Sequence, residues 1–317
     1  MLSHRASFIL AAALLVVLCV VGAVIASIAP SDWNAAGTTV SIPAGSNLSQ
    51  TAGILKTDGI IRSTFAYEAY ATILGGRERI KAGQYLFNQP ESALKVAQRT
   101  VSGIFGLPPI KVTLFEGSDT ADMAKIFAKA IPGFNAVSFL AKAKPLEGYL
   151  FPDTYYFTAM DTPATVIKAM ANNFAAKERG IVGEIAVSGR SESDIVKMAS
   201  IVEKEATSSA DRRIIAGILW KRLDAGMPLQ VDPPFYYVLD KTTALTSADL
   251  RTDSPYNLYL HKGLPPTPID SPGLDAILDT ASSTLSSYWF YISDAHGVMH
   301  YAATLTGHNA NIAKYLN

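Results

Sequence analysis

Apolar positions recur along much of this chain at the spacing of one-sided helices, and the strongest case runs from Ser193 to Ala206. Ile195, Met198, Ala199, Val202 and Ala206 fall at helical intervals, which predicts a helix with one buried face and Ser193 as its N-cap. A second amphipathic helix follows, with Ile214, Ile215, Ile218, Leu219 and Leu223 on its apolar side and Gly226 as its stop. Upstream, residues 40–46 read as a short strand, a glycine turn and a cap, leading into a helix with Leu48, Ala52 and Leu55 on one face. Residues 112–118 repeat that pattern ahead of Met123, Ile126, Phe127 and Ala130. The repetition predicts two related strand-turn-helix units packed on a shared small sheet. Helices are expected over 65–74 and 94–101 with a strand over 85–87 between them, and a further helix carries Val166, Ile167, Met170 and Phe174. Strands over 288–293 and 298–302 read as a hairpin around residues 294–297, closed by a short helix over 308–316. The fold class is therefore α+β.

One segment has a different character. Residues 8–29 contain no charged side chain and are long enough to span a bilayer. His4 and Arg5 precede the run and Asp32 follows it, so the expected arrangement is a cytoplasmic tip, an uncleaved single-pass helix and an extracytoplasmic remainder. Pro132, Gly133 and Pro145 mark a predicted boundary, giving three regions: 1–30 as tip and anchor, 31–131 as an interaction module, and 132–317 as a mixed α+β catalytic domain.

Composition removes several functions. The 27 basic and 27 acidic residues balance, so no global field draws the chain to nucleic acid. Cys19, the single cysteine, lies inside the apolar run, which excludes a disulfide framework and a cysteine-based zinc site downstream. His296, His300 and His308 lack metal-ligand spacing, so no metal and no cofactor is expected. No nucleophile elbow or phosphate loop occurs.

Carboxylate chemistry is what stays. Glu203 and Glu205 interrupt the apolar pattern of the central helix, but at about 100° per residue they diverge by about 200° and cannot face each other across one sugar ring. Glu205 lies beside Met198 and Ile201, the bulkier flank, which favours it for desolvation and a raised pKa. From the helix alone, both also fit solvated carboxylates paired with Lys197, Lys204 or Arg212. The aromatic stretch 146–157 fits either a saccharide-lined cleft or a core. The proline-rich loop 254–268 has the stiffness of a binding wall.

Five stretches together resemble a known family. Leu146-Glu-Gly-Tyr-Leu-Phe-Pro-Asp-Thr-Tyr, Met198-Ala-Ser-Ile-Val-Glu-Lys-Glu, Leu229-Gln-Val-Asp-Pro, Ser254-Pro-Tyr-Asn-Leu-Tyr and Gly263-Leu-Pro-Pro-Thr-Pro-Ile are similar to the signatures of MltG-type (YceG-like) endolytic murein transglycosylases. The resemblance implies that Glu205 is the catalytic residue; the polar groups and aromatic rings of Tyr149, Gln230, Asp232, Tyr256 and Asn257 are expected from the residues themselves to position the glycan. The resemblance also implies a LysM-like unit over about 39–89, peptidoglycan as substrate, and penicillin-binding synthases as company at the cytoplasmic membrane. In such a reaction the C6 hydroxyl of the muramoyl sugar attacks its own anomeric carbon, leaving a 1,6-anhydro end, so a single glutamate serves as acid and then as base. Val231 and Pro234 depart from the family pattern, which has a hydroxyl residue and a threonine there. The competing readings are a muramidase that admits water and a non-catalytic wall scaffold.

Overall fold

The computed structural model describes residues 37–76, 80–239, 243 and 245–316, together with scattered positions between 8 and 30. The predicted anchor over 8–29 lies largely outside the described residues, among which no helix is long and apolar enough to cross a membrane. The chain forms two units, Met1–Pro109 and Ile110–Asn317.

In the first unit, β1 (Thr38–Ile42), α1 (Leu48–Thr57), α2 (Thr64–Ile73), β2 (Gly83–Phe87) and α3 (Ala93–Ser102) follow in order. β1 and β2 are antiparallel, with Val40 opposite Tyr85. Strand alternation places Val40, Ile42, Tyr85 and Phe87 on one face, where they bury Leu55, Tyr67 and Val96 from the helices. Asn47 and Gln50 cap α1 reciprocally, each side chain accepting from the other's backbone N–H at 2.8–2.9 Å.

The second unit contains β3 (Ile110–Thr113), α4 (Thr120–Ala130), α5 (Ala136–Ala143), β4 (Thr154–Phe157), α6 (Pro163–Glu178), α7 (Val182–Ser188), α8 (Glu192–Glu205), α9 (Ser209–Asp224), α10 (Pro233–Leu239), α11 (Leu274–Ala281), β5 (Phe290–Ser293), β6 (Met299–Ala302) and α12 (Leu305–Tyr315). β3 pairs with β4, so the two repeated motifs belong to separate two-stranded sheets. The expected shared sheet does not form, because each strand finds its partner inside its own unit. The boundary expected at 132–146 also moves. That segment folds into α5 and a 3-10 turn over Lys144–Leu146, and Phe139 packs 5.2 Å from Phe127, which in turn meets Phe157 at 5.7 Å. Pro132 and Gly133 thus turn a corner within one core instead of leaving it.

Helix α8 is central to this unit, packing against α9, α10 and α11. Ile195, Val196, Met198, Ala199, Ile201 and Val202 are all buried, a band wider than the single predicted stripe because helices cover it from several sides. Its N-cap is Ser191, two residues before the expected Ser193, and accepts from the Asp194 N–H at 3.1 Å. Asp279 of α11 fastens the neighbouring α9, accepting from Ser209 Oγ at 2.6 Å and from the Nε atoms of Arg212 and Arg213 at 2.9 Å each. The aromatic stretch resolves in favour of core: Leu150, Phe151 and Phe157 are buried. Gly148 is required within it, since its φ is +85° and a Cβ there would lie 2.4 Å from Pro268.

Candidate active site

Glu205 is the last helical residue of α8, and Ala206 turns the chain into extended backbone (φ −150°, ψ 148°). The helix therefore delivers this carboxyl out of the apolar core and into a cleft of about 440 Å³. Burial pushes the Glu205 pKa up to about 7, and the negative charge of Asp232 adds to the effect. Two groups oppose it: the Tyr291 hydroxyl and the Arg222 guanidinium both favour the ionised form. The helix C-terminus also presents partial negative charge to a carboxylate in its last turn. At neutral pH the group is thus divided between acid and base, the condition that proton donation followed by proton removal demands.

The walls come from three further pieces of chain. Leu229 and Val231 point into the core while Gln230 between them is exposed along the cleft. Gln230 adopts φ +52°, the one non-glycine residue with positive φ among those described, and its N–H bonds the Leu258 carbonyl at 3.0 Å. Such backbone costs on the order of 1 kcal/mol or more, so it is held by its surroundings. Asp232 follows, accepting from the Tyr259 hydroxyl at 2.6 Å. Strand β5 supplies Phe290 and Tyr291, and α12 supplies His308, whose ring stacks on Phe290 at 5.2 Å.

Arg222 of α9 ties these walls together. Its guanidinium donates to the Leu229 carbonyl on one side and to the Trp289 carbonyl on the other, at 2.6–2.9 Å for the latter. Desolvation lowers its pKa, but an arginine keeps its charge. It therefore fixes the loop and the hairpin relative to each other while offering Glu205 a buried positive field.

Only part of the set expected from sequence meets here. Glu205, Gln230 and Asp232 line the cleft. Tyr149 does not: its ring meets Phe174 edge-on at 5.1 Å, and its hydroxyl engages Ser193, at the opposite end of α8 and roughly 18 Å from Glu205 along the helix axis. Tyr256 stands against Tyr237 at 5.5 Å, with its hydroxyl 2.8 Å from Thr267. Asn257 is fully buried. Its amide donates to the Leu250 and Thr252 carbonyls, and its carbonyl accepts from the Tyr259 N–H. It shapes the loop that presents Tyr259 and does not face the cleft itself. Glu203 looks the other way, accepting from the Gly273 N–H at the start of α11 at 3.0 Å. Arg222 and Tyr291 escaped the sequence reading because they stand far apart in the chain and carry no motif, whereas Tyr259 closes the Ser254–Tyr259 motif without being singled out by it and His308 enters that reading only as a metal ligand. Among the described residues no cluster of three His, Cys, Asp or Glu side chains could hold a metal.

Residues 40–314 match the YceG-like family. The chain belongs to that family. An endolytic murein transglycosylase of Bacillus subtilis (strain 168) is 30% identical over 88% of this chain and 84% of its own length. One of Streptococcus pneumoniae (strain D39) is 29% identical over 93% of this chain, which spans 61% of that longer protein. A crystal structure of a putative yceG-like protein from Listeria monocytogenes superposes with a TM-score of 0.59 at 28% identity, covering 86% of this chain and 98% of the other.

Within this YceG-like chain, the two departures at the Gln230 loop have structural roles. Val231 is buried in the core around α8. Pro234 sits in the first turn of α10, where a proline removes no helical hydrogen bond. The Asp232 carbonyl still receives the N–H groups of Phe235 and Tyr236, so the loop loses none of its closure.

Proposed function

We propose that this chain is a peptidoglycan lytic transglycosylase that cuts the MurNAc-GlcNAc β-1,4 bond within nascent glycan strands and leaves a 1,6-anhydro-MurNAc end. The observation that carries the reading is Glu205, brought by the end of α8 into an open cleft with its pKa raised to about 7 by burial. Protonated Glu205 gives its proton to the oxygen leaving with N-acetylglucosamine, and the C1–O4 electron pair departs with that oxygen. The C6 hydroxyl of the muramoyl sugar then attacks C1, and the Glu205 carboxylate takes its proton, so no water is consumed. Gln230 and Asp232 contact the glycan from the loop side. The family relatives named as endolytic murein transglycosylases support the substrate class.

Asp232 favours one second reading. A carboxylate near the acid is what a muramidase would use to activate water. Product analysis separates the two: mass spectrometry of digested glycan is expected to find anhydro ends, and ends heavier by one water would establish hydrolysis. Glu205→Gln is expected to lower the rate by about 100-fold or more. An unchanged rate would remove Glu205 from the mechanism, and silence from both proteins would favour a glycan-holding scaffold.

Residues 8–29 are proposed to tether the protein to the cytoplasmic membrane, with the cleft on the extracytoplasmic side beside penicillin-binding synthases. Residues 39–89 are proposed as a LysM-like glycan holder, a reading supported by their strand-helix-helix-strand order with paired outer strands.

A further inference from the structure

Tyr291 has no role in the reaction as stated above. Its hydroxyl oxygen is sealed from solvent and reaches no partner in a well-formed hydrogen bond. Strand β5 aims it into the cleft beside Glu205. The groups facing it are Glu205 from α8, Arg222 from α9 and Tyr259 from the loop after Asn257. Arg222 and Tyr259 do not satisfy it: the guanidinium is turned to the Leu229 and Trp289 carbonyls, and the Tyr259 hydroxyl donates to Asp232. A buried hydroxyl without a partner costs stability, and its retention calls for a reason.

We infer that Tyr291 is a positioning residue for the Glu205 proton cycle, closing its hydrogen bond on the carboxylate that forms when Glu205 gives up its proton to the departing sugar oxygen. The inference rests on the transglycosylase reading. A neutral carboxylic acid is a weak acceptor and a carboxylate a strong one, so the contact tightens as the C1–O4 bond breaks. Tyr291 keeps its own proton throughout. When the carboxylate later takes the C6 hydroxyl proton, the contact slackens and the resting state returns. An interaction stronger at the transition state than in the bound substrate raises kcat and leaves KM alone. Asp232 and burial push Glu205 toward the neutral form, while Tyr291 and Arg222 pull it back. Tyr291 is the member of that set whose hydrogen bond is free to change during turnover.

The test is the pH profile of anhydro-product release by the full-length protein and its Tyr291→Phe variant. Activity needs protonated Glu205, so kcat/KM falls as pH rises through its pKa. Without the phenol, that descending limb is expected to move to higher pH, and kcat to fall about tenfold or more with KM unchanged. Incorporating 3-fluorotyrosine at position 291 strengthens the donor and is expected to move the limb to lower pH. A limb that stays in place in both variants, or a change in KM alone, would overturn the inference. The Glu205 carboxyl can also be titrated directly by carbon-13 NMR, assigned by its loss in Glu205→Gln. Equal titration in wild type and Tyr291→Phe would likewise overturn it. If wild type releases no anhydro product, the functional reading fails, and the NMR titration still decides whether Tyr291 holds the Glu205 carboxylate.

Discussion

A single ionisable side chain makes a pH-dependent demand on the fold. Glu205 titrates near 7 in the folded protein against an ordinary value of 4.5, so between those values the folded state holds a proton that the unfolded chain has released. Stability attributable to this group is therefore intact below about pH 4.5 and is lost progressively as pH rises to 7, a cost of roughly 3 kcal/mol. Glu205→Gln keeps the shape and removes the titration. Denaturant midpoints of wild type and variant are expected to agree near pH 4 and to diverge at pH 8, with the variant the more stable. Sequence reading found this residue from its bulky helix flank and from the resemblance. It missed Arg222 and Tyr291, because a buried arginine bonded to carbonyls and a phenol on a short strand look like ordinary amphipathic residues until the chain folds. It misplaced Tyr149 and Asn257 for the opposite reason: an invitingly polar or aromatic motif can be spent on packing and loop closure.

At the level of elements, the long periodic helices were legible and the short ones were not. The helix expected around Val166 to Phe174 forms as α6 with all four named residues buried, and the predicted hairpin forms as β5 and β6. Helices α5, α7, α10 and α11, each eight residues or fewer, give too few turns for a period to show, and their packing partners stabilise them instead. Helix α11 illustrates this, since Asp279 joins it to α9 through three donors. Asp279→Ala would leave the buried Arg212 without its counter-charge, and a loss of about 3 kcal/mol is expected in chemical denaturation. A loss below about 1 kcal/mol would mean that Arg212 finds solvent or another acceptor.

For the molecule as a whole, the division at Pro109 has a direct consequence for truncation. Both hydrophobic clusters of the second unit are assembled from residues after Ile110. A fragment 110–317 is expected to unfold cooperatively on heating, whereas 132–317, cut where composition alone puts the boundary, lacks β3 and α4 and leaves β4 and Phe139 bare. Circular dichroism of the two fragments checks this, and equal cooperativity would show that β3 and α4 are dispensable to the core. Proline and glycine marked a corner and a linker alike, which is why the boundary was misread. Helix α8, finally, keeps two acids in phase: one latches α11 through Gly273 and the other enters the cleft, separated by a fixed angle of rotation. Removing one residue anywhere along the helix would turn its far end by about 100° and misdirect both at once. This segment can therefore accept exchanged side chains over evolution far more readily than a changed length.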